Sequence, residues 1–254
     1  TGDDVVMVFA PNKGQSDVTK YVYFRFDIQG NLKNKVTFTS PASALLITAA
    51  YDKGDAVYFF GTSMKSKKSF EEVFKEYASI YNPSSGDSYL FLKWKKSLEE
   101  DMDNFNFIKI KGNQLDFAST TPVDDFKSKF KTAPGDKGAS AYKGKNFYTE
   151  SFFVTNSDDY LIAGQLLSSV NMGMANPVDS YEDIVCFHFD KIGNLKAQYG
   201  IGKMNNDKKS EIFEMKQAFY PSLDGKSVYW ELFEIKGVKG YESFLDAYYN
   251  NPSW

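Results

Sequence analysis

Val22, Phe24 and Phe26 alternate with Tyr23, Arg25 and Asp27, and Val185, Phe187 and Phe189 alternate in the same way with Cys186, His188 and Asp190. A period of two places each apolar set on one face of a β-strand. Both strands run into nearly the same eight residues, FDIQGNLK at 26–33 and FDKIGNLK at 189–196, with a weaker copy, IKIKGNQLDF, at 108–117. In these stretches Asp27 and Asp190 can accept turn amides, while Gly30, Gly112 and Gly193 can take positive φ. Asn31, Asn113 and Asn194 follow the glycines, and returning strands such as KVTFTS and KAQYGIG come next. The pattern predicts three hairpins about eighty residues apart.

A second type of hairpin alternates with the first. LLITAAYDKGDAVYFFGTS, ESFFVTNSDDYLIAGQLLSS and FEMKQAFYPSLDGKSVYWELFEI each join two apolar runs across an Asp, Asn and Gly turn. The opening VVMVFA matches the back half of this hairpin. Two alternating hairpins make a four-stranded antiparallel unit, and the chain holds about thirteen such strands, a little over three units. The expected fold class is all-β with small helical insertions, as repeated four-stranded antiparallel sheets in a β-propeller-like, partial array. Closed propellers have about four to eight blades, so residues 1–254 read as one β-repeat domain that is a fragment of a longer propeller.

Between the units lie insertions of uneven length. Residues 67–100 are expected to include a helix, because Ser69 and Glu72 form a capping box and Phe70, Val73, Phe74, Tyr77 and Ile80 form an apolar stripe. PVDDFKSKFKTAPGDKGASAYKGKN, rich in Lys, Gly and Pro, reads as an exposed loop, and ESFLDAYYNN as a short second helix.

Composition narrows the function classes. Aromatic residues make up 17% of the chain, which suits half-buried pleated surfaces. The net charge of −3 provides no basic field for phosphate backbones, so nucleic acid is not expected as a partner. The single cysteine, Cys186, rules out an internal disulfide. No apolar run reaches the roughly 20 residues that cross a bilayer, and the start TGDDVV lacks the features of a signal peptide.

The motifs FD-x-x-GNLK and DGK-x-VYW, in a chain rich in Phe, Tyr, Asn and Lys, resemble the propeller-like repeat proteins of exported Bacteroidota proteins, most of them uncharacterised. The resemblance covers most of the chain outside the insertions. It implies a periplasmic or cell-surface setting.

Candidate chemistry is sparse. Asp27 and Asp190 could be a carboxylate pair of the glycosidase kind, but each directly precedes a turn that it can cap. His188 and Cys186 share a strand face, yet the chain has no second histidine, and the counterpart of His188 in the first repeat is Arg25, so a structural role is expected and no metal site. GNL leads from strand to strand, which excludes a dinucleotide loop, and no Walker-type sequence occurs, so no cofactor is expected. The lysine clusters at 65–68 and 93–96 are offset by Glu71, Glu72, Glu99, Glu100 and Asp101. Tyr81, Tyr89, Trp94, Tyr248, Tyr249 and Trp254 stand in or beside the insertions and are the candidate binding residues. The resulting expectation is a non-catalytic interaction or scaffold module of the cell envelope or surface that binds a protein through its loops. The alternative is a carbohydrate-binding or glycoside-hydrolysing propeller protein.

Overall fold

The computed structural model describes residues 4–11, 19–42, 45–63, 103–124, 126–132, 139, 141–144, 147–170, 178–202 and 216–233. Within these residues the protein is all-β, with antiparallel sheets built in chain order. Sheet A comprises β1 (Val5–Phe9), β2 (Lys20–Phe26) and β3 (Leu32–Thr39). Sheet B comprises β4 (Leu46–Lys53), β5 (Ala56–Ser63), β6 (Asn104–Lys111) and β7 (Gln114–Pro122). Sheet C takes one short strand, β8 (Phe130–Thr132), and four long ones: β9 (Phe147–Val154), β10 (Tyr160–Val170), β11 (Val178–Phe189) and β12 (Leu195–Ile201). Sheet D is the hairpin of β13 (Lys216–Pro221) and β14 (Val228–Phe233).

The sheets pack face to face in sequence, each junction closed by aromatic side chains. Tyr21, Tyr23, Val36 and Phe38 of sheet A meet Leu45, Val57, Phe59, Ile108 and Ile110 from the segment that forms sheet B. On its other face sheet B presents Tyr58, Phe60, Phe105 and Phe107 to Phe147, Tyr160, Phe187 and Phe189 of sheet C. Phe107 stacks on Tyr160 with ring centroids 4.6 Å apart and leans on Phe189 at 4.7 Å. Sheet C meets sheet D through β9 and β13, where Phe153 and Phe219 lie 6.0 Å apart. Because sheet B is covered on both faces, every residue of β5 is buried, so AVYFFGTS is a continuous apolar-rich run with no polar side left for water.

The repeated octapeptides form the same reversal twice. The Asp27 carboxylate accepts the backbone N–H groups of Gln29 at 3.0 Å and Asn31 at 2.8 Å, and the Asn31 amide at 2.9 Å. Asp190 does the same with Ile192 at 3.0 Å, Asn194 at 2.9 Å and the Asn194 amide at 3.1 Å. Gly30 and Gly193 close these loops with φ of 83° and 85°. The middle copy is a tighter turn around Gly112, φ 56°, and Asn113, whose side-chain oxygen accepts the Asn34 amide of β3 at 2.7 Å.

One segment departs from the expectation of an exposed loop. Within 122–146, residues Phe126–Lys129 form a 3-10 turn, β8 pairs parallel to β12, and Phe126 and Tyr142 are each only 1% exposed. Phe126 lies 5.2 Å from Phe105 and Tyr142 lies 5.2 Å from Phe187, so the segment caps one end of the core between sheets B and C. Two aromatic anchors outweigh the surrounding lysines and glycines. The helical insertion at 67–100 and the second short helix lie outside the described residues.

Candidate functional site

The third strand type of each unit, β2, β6 and β11, carries a basic side chain just before its turn on the face turned toward the following sheet: Arg25, Lys109 and His188. The ladders establish their equivalence. Register slips by one residue immediately after each of them, between Arg25 and Phe26, Lys109 and Ile110, and His188 and Phe189. Each takes an acid from its own sheet. Arg25 Nε bonds Asp4 at 2.6 Å, Lys109 Nζ bonds Asp116 at 3.1 Å, and His188 Nε2 bonds Asp159 at 2.8 Å. Lys33 joins Asp4 at 2.6 Å, and Lys196, the matching lysine of the second GNLK, joins Asp159 at 2.9 Å.

The first two basic groups also reach the next sheet. Arg25 Nη2 bonds Asp52 at 2.8 Å, in the first hairpin of sheet B. Lys109 Nζ bonds Asp158 at 3.0 Å, in the turn between β9 and β10 of sheet C. Asp158 further accepts Lys53 at 2.8 Å and the Tyr58 hydroxyl at 2.9 Å. Burial works against its charged form, but the bonds from Lys53, Lys109 and Tyr58 hold its carboxyl down at about 2.

His188 breaks the pattern. Among the described residues its ion pair is with its own sheet only. The turn of sheet D that faces it, Ser222–Ser227, holds one acid, Asp224, which accepts the Ser222 hydroxyl at 2.6 Å and the Lys226 backbone N–H at 3.1 Å. Gly54, Asp158 and Gly225 are the positive-φ residues of the three corresponding turns, and the residue after each is Asp55, Asp159 and Lys226. At that position the first two turns carry acids that pair within their own sheets, Asp55 with Lys111 at 3.2 Å and Asp159 with His188 at 2.8 Å, and the third carries Lys226.

Between sheets C and D at this point lies a cleft of about 390 Å³. Its floor is Leu161, Cys186 and His188, and one rim is Thr155, Ser157 and Asp159 from the β9–β10 turn. The opposing wall is Phe219, Val228 and Trp230 with Gly225 and Lys226, and Tyr199 of β12 closes one side. Phe219 and Trp230 stack at 6.4 Å, and the indole N–H donates to Gln217 at 3.2 Å. Burial opposes ionisation of Asp159, yet the bonds from Lys196 and His188 lower its pKa, so it is a carboxylate at neutral pH. Cys186 is buried and free, and its thiol is pushed up by that burial, away from the reactive thiolate.

The residues singled out in the sequence separate into two groups. Asp27, Gly30, Asn31, Gly112, Asn113, Asp190, Gly193 and Asn194 lie in the hairpin turns described above, and the two aspartates are turned onto their own backbones. Tyr81, Tyr89, Trp94, Tyr248, Tyr249 and Trp254 fall outside the described residues. The acids at the junctions, together with Lys109, Lys226, Phe219 and Trp230, were not anticipated. A signal for Lys109 existed but was offset: Arg25 and His188 stand five residues before their glycine, Lys109 only three, because the middle turn is shorter. Among the described residues no three His, Cys, Asp or Glu side chains come together as a metal site, and no helix is long and apolar enough to cross a membrane.

No protein-family model matches this chain, and no curated protein sequence matches it.

Proposed function

We propose that the chain is a non-catalytic recognition module of an exported, envelope or cell-surface protein, built as an incomplete run of β-propeller blades and binding a protein partner through its loop insertions. What carries the reading is that, among the described residues, these acids and the lone thiol are committed to structure. Asp27 and Asp190 cap turns, Asp52 and Asp158 bridge sheets, and Cys186 is buried. Sheets stacked in chain order, with one type of junction used again and again, supply rigidity, and the uneven connections between them supply variation. Propeller closure would cover the remaining sheet faces in the same manner.

The test uses the hairpin geometry. Ser63 and Asn104 are directly paired, so residues 64–102 join neighbouring strand ends and can be replaced by a short glycine-serine turn without altering register. In-cell crosslinking of the intact chain is expected to yield a defined protein partner that the shortened chain loses while its circular dichroism is retained. Turnover of a glycoside by the intact chain, abolished by Asp159→Asn, would overturn the reading. A glycan-binding module is the second reading, favoured by the aromatic walls that Trp230, Phe219 and Tyr199 give the cleft beside a carboxylate and a lysine.

A further inference from the structure

The three junctions can be compared group by group. At the first, Arg25 holds two carboxylates, Asp4 from its own sheet and Asp52 from the next. At the second, Lys109 holds Asp116 and Asp158 in the same way. At the third, His188 holds Asp159 through Nε2, and the following turn directs no carboxylate to it among the described residues. Nε2 of His188 is taken by Asp159, and Nδ1 is the ring nitrogen left to meet a second group. Lys226 faces the same space, and its ammonium has no ion pair among the described residues. The cleft therefore sets the His188 ring and the Lys226 ammonium where the other two junctions bring in a carboxylate from the next sheet.

We infer that the cleft between sheets C and D binds a small organic acid, whose carboxylate lies against His188 and Lys226 as Asp52 and Asp158 lie against Arg25 and Lys109. This assignment rests on the reading of the module as a binding protein, and it adds the chemistry of one ligand. The stacked pair of Phe219 and Trp230 offers an apolar wall to the body of the acid, and Ser157 and Thr155 offer hydroxyls at the rim. A volume of about 390 Å³ suits one six-membered ring, of a sugar or an arene. A uronic acid at the end of a glycan and a free aromatic acid share this chemistry.

The chain contains one histidine, so selective labelling gives a single set of imidazole NMR signals that reports on His188 directly. Titration of the full chain with glucuronate, benzoate and glucose is expected to move those signals saturably, at millimolar concentrations, with one or both acids and not with glucose. Response to glucuronate alone identifies the sugar acid as the source, and response to benzoate alone the aromatic acid. Lys226→Asp replaces the ammonium of the turn with a carboxylate at an exposed position, and it is expected to weaken acid binding at least tenfold while the His188 signal itself shifts. Equal response to glucose and glucuronate would overturn the carboxylate assignment and leave the cleft a binding site. Silence toward all three probes, or unchanged affinity in Lys226→Asp, would overturn the inference without touching partner capture by the loops, which the crosslinking experiment reads separately.

Discussion

Asp158 occupies the left-handed region, φ 64°, at the tip of the β9–β10 hairpin, where its carboxylate gathers Lys53, Lys109 and Tyr58. Asparagine tolerates that backbone equally well, so Asp158→Asn keeps the turn while removing the charge and one of the two acceptor oxygens. The pKa is depressed in the folded state, from 3.8 to about 2, so its contribution to stability is complete above the unfolded value and is lost as pH falls through the folded one. Thermal melts should therefore separate the two proteins at neutral pH and bring them together between about pH 4 and pH 2. Glycine at 193 offers a second contrast. Gly30 and Gly193 share their φ, but a Cβ at 30 meets open space whereas one at 193 meets Ser119 and Phe107, and the Gly193 carbonyl accepts the Thr121 hydroxyl. Gly30→Ala should cost roughly 1 kcal/mol for the backbone alone, and Gly193→Ala measurably more in denaturant unfolding. Both glycines were legible in the sequence as turn formers. Their different surroundings were not, because a turn motif carries no information about the sheet it lands on.

At the level of single elements, burial is graded along the stack. β5 is buried throughout and β6 over its first five residues, while β1 alternates between exposed and half-buried. The free energy of local opening rises with the apolar surface that opening hands to water, so amide exchange should be slowest in β5 and β6 and fastest, among the strands, in β1 and β14. Hydrogen exchange read by mass spectrometry checks that order. The strands and the two kinds of hairpin were readable from alternation and turn residues, since both express a local period. β8 and the seating of Phe126 and Tyr142 were not, because a three-residue parallel strand and two lone aromatics have no period and gain their energy from residues far away in sequence. The same holds for the cleft: His188 was visible, but Lys226 and Trp230 are brought to it only by docking of sheet D.

For the molecule as a whole, the junction between sheets B and C is the aromatic centre, and Phe107, fully buried, touches both Tyr160 and Phe189 across it. Phe107→Ala should cost about 3–5 kcal/mol and lower Tm by roughly 10 °C, a change that calorimetry would register. The chain order of the sheets was foreshadowed by the alternation of hairpins, and their mutual seating rests on pairs such as Lys109 with Asp158 that are remote in sequence. Because the apolar faces of sheet A find cover in sheet B, and those of sheet B in sheet C, no sheet completes its own interior. Tyr21, Tyr23 and Phe38 therefore have no cover until β5 and β6 are in place, so the burial of each sheet's aromatic face depends on the sheet that follows it in the chain.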